Sequence, residues 1–375
     1  MSVKCKIYFI VLLIISAVMT FSCSYEKYKL PVIPEDAPQV TSVEYIQLNT
    51  VLDAQHGYDF NNPADVYYGV DNFLYVADTD NNRIVMLDLG GAPQGYSQYI
   101  EHPEAMSQND SLQLLVVNKT NKVFKLDLYA HSHNIASVPV EQVWEEQSYP
   151  NRQYTGISVH NGFEYYVTVV DESGAAPKSL IFDFYGNHLP KGPLPLNESG
   201  TGLFSALLPT SIISLREQYL DLSSREDTPA FIFTQTGFWE PLNLFNYYKV
   251  QFITTTVFEG QDVLAPNTSL VGTELYDFEQ FYNPEDAAID NNGNIFIIDT
   301  GSADNGTGTV ENVPGFYRFG PSGRKLQSVT GYGSDAYQFK NPKGVAVSPS
   351  NELQKVYIAD TGNNRIVQYQ LSTDF

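Results

Sequence analysis

The stretch YVADTDNNRIVMLD, Tyr75 to Asp88, returns near the other end of the chain as YIADTGNNRIVQYQ, Tyr357 to Gln370. A strand-turn-strand unit that recurs so far apart marks a repeat architecture. Widened, the first copy runs NNPADVYYGVDNFLYVADTDNNRIVMLD from Asn61, and the last runs KNPKGVAVSPSNELQKVYIADTGNNRIVQYQ from Lys340. A third copy, YNPEDAAIDNNGNIFIIDTG, occupies Tyr282 to Gly301. Each copy has Pro where a strand begins, a short apolar strand, a turn of Asp, Asn and Gly, and a second apolar strand closing on Asp-Thr. In two copies Arg-Ile then opens a further strand.

The repeated residues have a mechanical reading. Pro63, Pro284 and Pro342 fall at a strand start, where a missing N–H is harmless. Asp78, Asp299 and Asp360 fall where the second strand ends, and an Asx side chain there accepts hydrogen bonds from the turn that follows. Asn82 and Asn364 suit left-handed turn backbone, and Arg83 and Arg365 reach back to Asp78 and Asp360. These residues are expected to be turn scaffolding rather than catalytic groups.

Between the clear copies the pattern decays but can be followed. His102 to Leu128 keeps the Pro and two strands, with Asn118 in place of the acid; Gly156 to Asn187 keeps the strand rhythm without the Pro; Leu208 to Val250 is assigned by alternation alone. Unit starts at Pro63, Pro103, Gly156, Pro209, Pro284 and Pro342 count six, with middle units long enough to carry loop insertions. The pattern resembles the NHL repeat, whose family fold is a β-propeller with one four-stranded blade per repeat. That resemblance implies an all-β, six-bladed, NHL/TolB-like propeller over 42–375.

After Leu371 only four residues remain, so the last unit supplies three strands. The stretch SVEYIQLNTVL, Ser42 to Leu52, alternates like a strand ahead of the first Pro-initiated unit and is expected to complete the last blade. Such a closed ring leaves only short, protected sheet edges.

The N-terminus carries an address. Lys4 and Lys6 precede an apolar run of 13 residues, Ile7 to Met19, short of the ~20 that span a bilayer as a helix. Thr20-Phe21-Ser22-Cys23 follows. The arrangement resembles a bacterial lipoprotein signal over residues 1–22, although Phe21 departs from the tightest form of the motif; an ordinary cleaved signal and an uncleaved anchor are the other readings. The resemblance implies acylation of Cys23, a Pro-rich tether over 23–41, and lipid anchoring to the cell envelope, with the outer membrane as the expected address. Of the two cysteines, Cys5 lies in the signal and Cys23 takes the lipid, so none is left for a disulfide, a thiolate metal site or a thiol nucleophile.

The formal charge of −22 argues against nucleic acid or anionic lipid headgroups as ligands, because both are repelled. Membrane contact is expected through the lipid alone.

Six-bladed propellers resembling this one include calcium-dependent lactonases and peptidylglycine lyases with histidine-held zinc. The six histidines here, His56, His102, His131, His133, His160 and His188, do not recur at equivalent repeat positions. His131 and His133 form a His-x-His pair in the loop AHSHN, read as two solvated loop histidines in preference to a chelate. The run Asp299 to Gly308 offers oxygen ligands suited to calcium without the ordered spacing of an EF-hand loop. No Gly-x-Ser-x-Gly elbow is present. No cofactor is therefore expected, with calcium the one ion left open, and catalysis is not the expectation.

Binding is the better-supported class. GFWEPLNLFNYYKV, Gly237 to Val250, crowds Phe238, Trp239, Phe245, Tyr247 and Tyr248 into the most divergent unit, beside Glu240 and Asn243. An aromatic platform of Phe238, Trp239, Tyr247 and Tyr248 would stack on sugar rings or grip a peptide or protein. The sequence thus leaves two classes open: an anchored binding or scaffolding propeller, and a metal-dependent hydrolase or lyase using the channel.

Overall fold

The computed structural model describes residues 43–171, 173, 178–194, 206–215, 230–236, 248–303, 309–350 and 353–374. They form six four-stranded antiparallel sheets. The innermost strand of each is β2 (Pro63–Tyr68), β6 (Ala105–Gln108), β10 (Arg152–His160), β14 (Pro209–Ser214), β18 (Pro284–Ile289) and β22 (Gly344–Val347). Each inner strand touches the next, and β22 returns to β2, so the sheets are the blades of a closed six-bladed propeller.

Sheet order explains the hydrophobic pattern. A second strand such as β3 (Leu74–Asp78) is covered by a neighbouring blade on both faces, and all five of its residues are buried. Its side chains split by strand parity: Tyr75 and Ala77 pack toward blade 2, while Leu74 and Val76 pack toward blade 6. An outer strand such as β21 (Lys325–Thr330) alternates between half-buried and exposed positions, as a one-sided strand must. Among the described residues the apolar core consists of six clusters, each drawn from two adjacent blades. Fully burying one Val, Leu, Ile or Phe side chain there contributes about 1.5–3 kcal/mol.

Closure is made by the N-terminal strand. β1 (Tyr45–Gln47) lies antiparallel on β24 (Arg365–Leu371), with Tyr45 opposite Leu371 and Gln47 opposite Tyr369, and a further bridge joins Leu52 to Ile366. It is the fourth strand of blade 6.

The repeated turns are built alike. Asp78, Asp299 and Asp360 end their strands, and Asn82 and Asn364 adopt left-handed backbone at φ 53°. Arg83 Nε donates to Asp78 Oδ2 and Arg365 Nε to Asp360 Oδ2, each at 2.7 Å. Asp299 has backbone donors instead, the N–H groups of Tyr282, Asn283 and Gly301. In the decayed second unit, Asn118 is buried, donating to Glu101 O and accepting from Thr120 Oγ1.

Candidate functional site in the central channel

Four inner strands slip register near their start: three directly after the opening Pro, between Pro63 and Asp65, Pro209 and Ser211, and Pro284 and Asp286, and one between Tyr154 and Gly156. A bulge of this kind re-aims the residue that follows. Here it turns Asp65, Ser211 and Asp286 toward a channel cavity of about 110 Å³ that is also lined by Glu104, Glu285 and Lys343.

Those side chains are engaged in joining blades. Asp65 Oδ2 accepts from Met106 N at 2.9 Å, Ser107 Oγ from Val159 N at 2.9 Å, and Ser158 Oγ from Ser214 N at 2.8 Å. Ser211 Oγ donates to Asp286 Oδ1 at 2.5 Å, and Asp286 Oδ2 accepts from Val345 N at 2.8 Å. The last joint, from blade 6 back to blade 1, is made by close approach. A Cβ on Gly344 would stand 2.7 Å from Asp65 Cα and 2.9 Å from Val66 N.

A second circle of bonds ends on carbonyls close to the start of each inner strand. Thr79 donates to Pro103 O, Thr155 to Pro209 O, Thr210 to Pro284 O, Thr300 to Pro342 O and Thr361 to Pro63 O, at 2.5–2.9 Å. Between blades 2 and 3, where the repeat has Lys119 in place of Thr, the Lys119 backbone N–H bonds Tyr154 O at 3.2 Å. The Thr of Asp-Thr, at Thr79, Thr300 and Thr361, is thus an inter-blade staple, and Thr155 and Thr210 do the same from the inner strands themselves.

The channel is electrostatically tense. Burial, more than any neighbour, raises the Asp286 carboxyl to about 7, against the pull of Ser211 and the Val345 N–H. Burial and then the charge of Asp286 push Asp65 well above the usual carboxylate range. Both border water-sized space, yet protein surrounds them, so the cost of charging them is that of an interior site. At the channel mouth Glu104 pairs with Lys119 and lies 3.8 Å from Lys343 Nζ. Glu285 is raised by burial and partly restored by Lys343 and Lys119.

The histidines go separate ways. His56 pairs with Asp53, His102 with Asp80, His160 with Asp183, and His188 with the Tyr165 hydroxyl. His131 faces the Asp127 carbonyl and His133 faces Asp71. Among the described residues, no three His, Cys, Asp or Glu side chains converge on one point. The charge of Asp286 acts on Asp65 across blades 5 and 1, and the acceptor oxygens of both already face donors of the frame.

Of the aromatic platform, Phe238, Trp239 and Tyr247 lie outside the described residues, as do Cys23 and residues 304–308 of the oxygen-rich loop. Tyr248 is described, and its ring packs at 5.3 Å on Tyr276 and 4.7 Å on Phe278, against the core between blades 4 and 5. The channel residues were not singled out from sequence. The available signal was an acid two positions after the unit-opening Pro, at Asp65 and Asp286.

Fold and repeat together define the class, a six-bladed β-propeller carrying the NHL repeat, which matches residues 60–86. Comparison with curated proteins finds no match in sequence. Among solved structures, the chain is similar to a structural genomics protein of unknown function from Bacteroides thetaiotaomicron: TM-score 0.55, 12% identity, 87% of this chain and 73% of that one. It is also similar to a gluconolactonase from Xanthomonas campestris, with TM-score 0.52, 10% identity and coverage of 88% and 97%. A luciferin-regenerating enzyme gives TM-score 0.54 at 8% identity, with coverage of 86% and 94%. At these identities the likeness is one of fold.

Proposed function

We propose that the protein is a binding or scaffolding propeller of the bacterial cell envelope. In this reading residues 1–22 export it, lipid on Cys23 and the tether over 23–41 hold it on the membrane, and its loops recognise a glycan, peptide or protein partner. The observation that carries the reading is the use made of the channel carboxyls: Asp65 and Asp286 accept inter-blade bonds, so the centre of the ring is frame rather than free chemistry. Recognition then falls to loops, where propeller sequences are free to vary.

A channel hydrolase is the second reading, favoured by the fold likeness to a gluconolactonase and a luciferin-regenerating enzyme along nearly their whole length. In that reading Asp286, raised to about 7, is the group poised to exchange a proton near neutrality.

One experiment separates them. The purified protein is screened on glycan and peptide arrays with and without calcium, and assayed in parallel for lactone hydrolysis. Binding that survives Asp65→Asn with Asp286→Asn, but is lost in Trp239→Ala at nearly unchanged Tm, supports the binding propeller. Lactone turnover abolished by Asp286→Asn would replace it with the hydrolase. A large loss of stability in Trp239→Ala would move Trp239 into the core and remove the platform.

A further inference from the structure

Because successive strands are antiparallel, the turns that join first strand to second and third to fourth in every blade leave the same face of the ring, opposite the Asp-Thr turns. Among the described residues, every exposed leucine and phenylalanine lies in or beside one of those turns. Phe163 and Leu353 stand in the inner turns of blades 3 and 6, and Leu89 and Leu189 in the outer turns of blades 1 and 3. Phe258 ends the third strand of blade 4, and Leu326 follows the outer turn of blade 5. Their exposure runs from 37% at Leu89 to 64% at Phe258. The opposite face exposes tyrosines instead, Tyr99 and Tyr282 among them, and Val313.

Hairpin tips favour Gly, Asn, Asp and Ser, so a leucine or phenylalanine there serves neither the turn nor the core. In blade 3 two such turns touch. A Cβ on Gly186 would stand 2.9 Å from Phe163 Cβ, so the turn that carries Tyr185 and Leu189 packs against Phe163 and the three form one apolar tip. The chain also enters the ring on this face. Tyr45 pairs with Leu371, at the end of β24 away from its Asp-Thr turn, and Val43, two residues earlier, is itself exposed. Residues 23–42 lead to that point from the lipid proposed on Cys23. The anchored end of the chain and the apolar tips thus belong to the same face.

We infer that this face rests on a bilayer of neutral headgroups, with the leucine and phenylalanine tips entering the headgroup boundary. A net charge of −22 fits zwitterionic lipid and is repelled by anionic lipid. Each tip alone binds weakly. The lipid on Cys23 holds all of them at high effective concentration beside the surface, so several small insertions act together. The inference rests on the anchored reading proposed above, and it replaces membrane contact through the lipid alone.

The test takes the chain from Cys23 onward, which holds the whole closed ring and no other cysteine, and couples Cys23 to maleimide lipid in mixed phosphatidylcholine and phosphatidylethanolamine vesicles. Attachment is then chemical and independent of acylation in cells; fatty-acid labelling of the full chain against Cys23→Ser decides the anchored reading separately. Tryptophan is placed at Leu189 or at Tyr99, with brominated phosphatidylcholine as quencher and the parent chain, which holds Trp144 and Trp239, as baseline. Leu189→Trp should lose fluorescence that Tyr99→Trp keeps. Quenching of a Leu353→Trp reporter should vanish when Phe163→Asp, Leu189→Asp and Phe258→Asp are combined, and should weaken when phosphatidylglycerol is added. If the combined variant fails to fold, Leu189→Trp against Tyr99→Trp still decides. No quenching of Leu189→Trp, or equal quenching at both positions, would overturn the inference. So would a dimer that forms without vesicles and is dispersed by the Asp changes, which would give the face to a second copy of the chain.

Discussion

The side-chain amide of Gln327 grips both backbone groups of Tyr45: the Tyr45 N–H donates to Oε1 at 2.8 Å, and Nε2 donates to the Tyr45 carbonyl at 2.9 Å. Gln327 belongs to the outer strand of blade 5, and Tyr45 to the strand that completes blade 6. The closing strand has only three residues, too few ladder bonds to hold alone. Blade 5 therefore clamps what blade 6 pairs. Gln327→Leu, which removes both bonds, is expected to cost about 1–3 kcal/mol, read as a lower urea midpoint at unchanged m-value.

The threonine staples are a second point of leverage. Thr361 is fully buried and donates at 2.7 Å to the Pro63 carbonyl, joining blade 6 to blade 1. Thr361→Val keeps the shape and strands that carbonyl, at about 1–3 kcal/mol. Thr361→Ser should recover most of the loss in the same denaturation series.

Gly344 tests the close approach. A methyl there would stand 2.7 Å from Asp65 Cα, a backbone atom with no side-chain freedom to yield. Gly344→Ala is expected to destabilise by about 1–3 kcal/mol through overpacking. Alanine at Gly260, where nothing lies within 4 Å of the added Cβ, meets no such contact, and its cost comes only from the φ of 80°.

The channel carboxyls predict a pH dependence whose sign is fixed. Asp286 is raised in the folded state to about 7 from 3.8, and Asp65 is raised in the same direction. The folded chain thus holds protons that the unfolded chain has released across this window. The contribution of these groups to stability is fully present below about pH 4 and is lost as pH rises through about 7. Asp286→Asn should flatten that slope in urea titrations from pH 5 to 8, because its amide carries no charge to desolvate. A slope retained in the variant would assign it elsewhere.

How much of this was legible in the sequence follows from what each residue does locally. Asp78, Arg83, Asp360 and Arg365 act within their own turn, so spacing alone exposes their pairing. The closing strand was legible because the last unit is one strand short and an alternating segment waits at the other end. Asp65 and Asp286 act across blades: in sequence they are only polar residues in half-buried strands, and it is the bulge after the opening Pro that turns them to the channel. Thr79 and Thr361 were hidden for the same reason, since their acceptors lie in the following blade. Tyr248 counted as one more aromatic in a crowded stretch, and only packing shows its ring set against Tyr276 and Phe278.

Hydrogen exchange of the amides of Tyr45, Leu48 and Leu52 tests ring closure most directly. They donate respectively to Gln327 Oε1, Gln368 O and Ile366 O, so each reports one fastening of the N-terminal segment. Protection equal to that of β24, lost together with it under denaturant, is the predicted result. Free exchange of these amides while β24 stays protected would contradict a wheel fastened by its first strand.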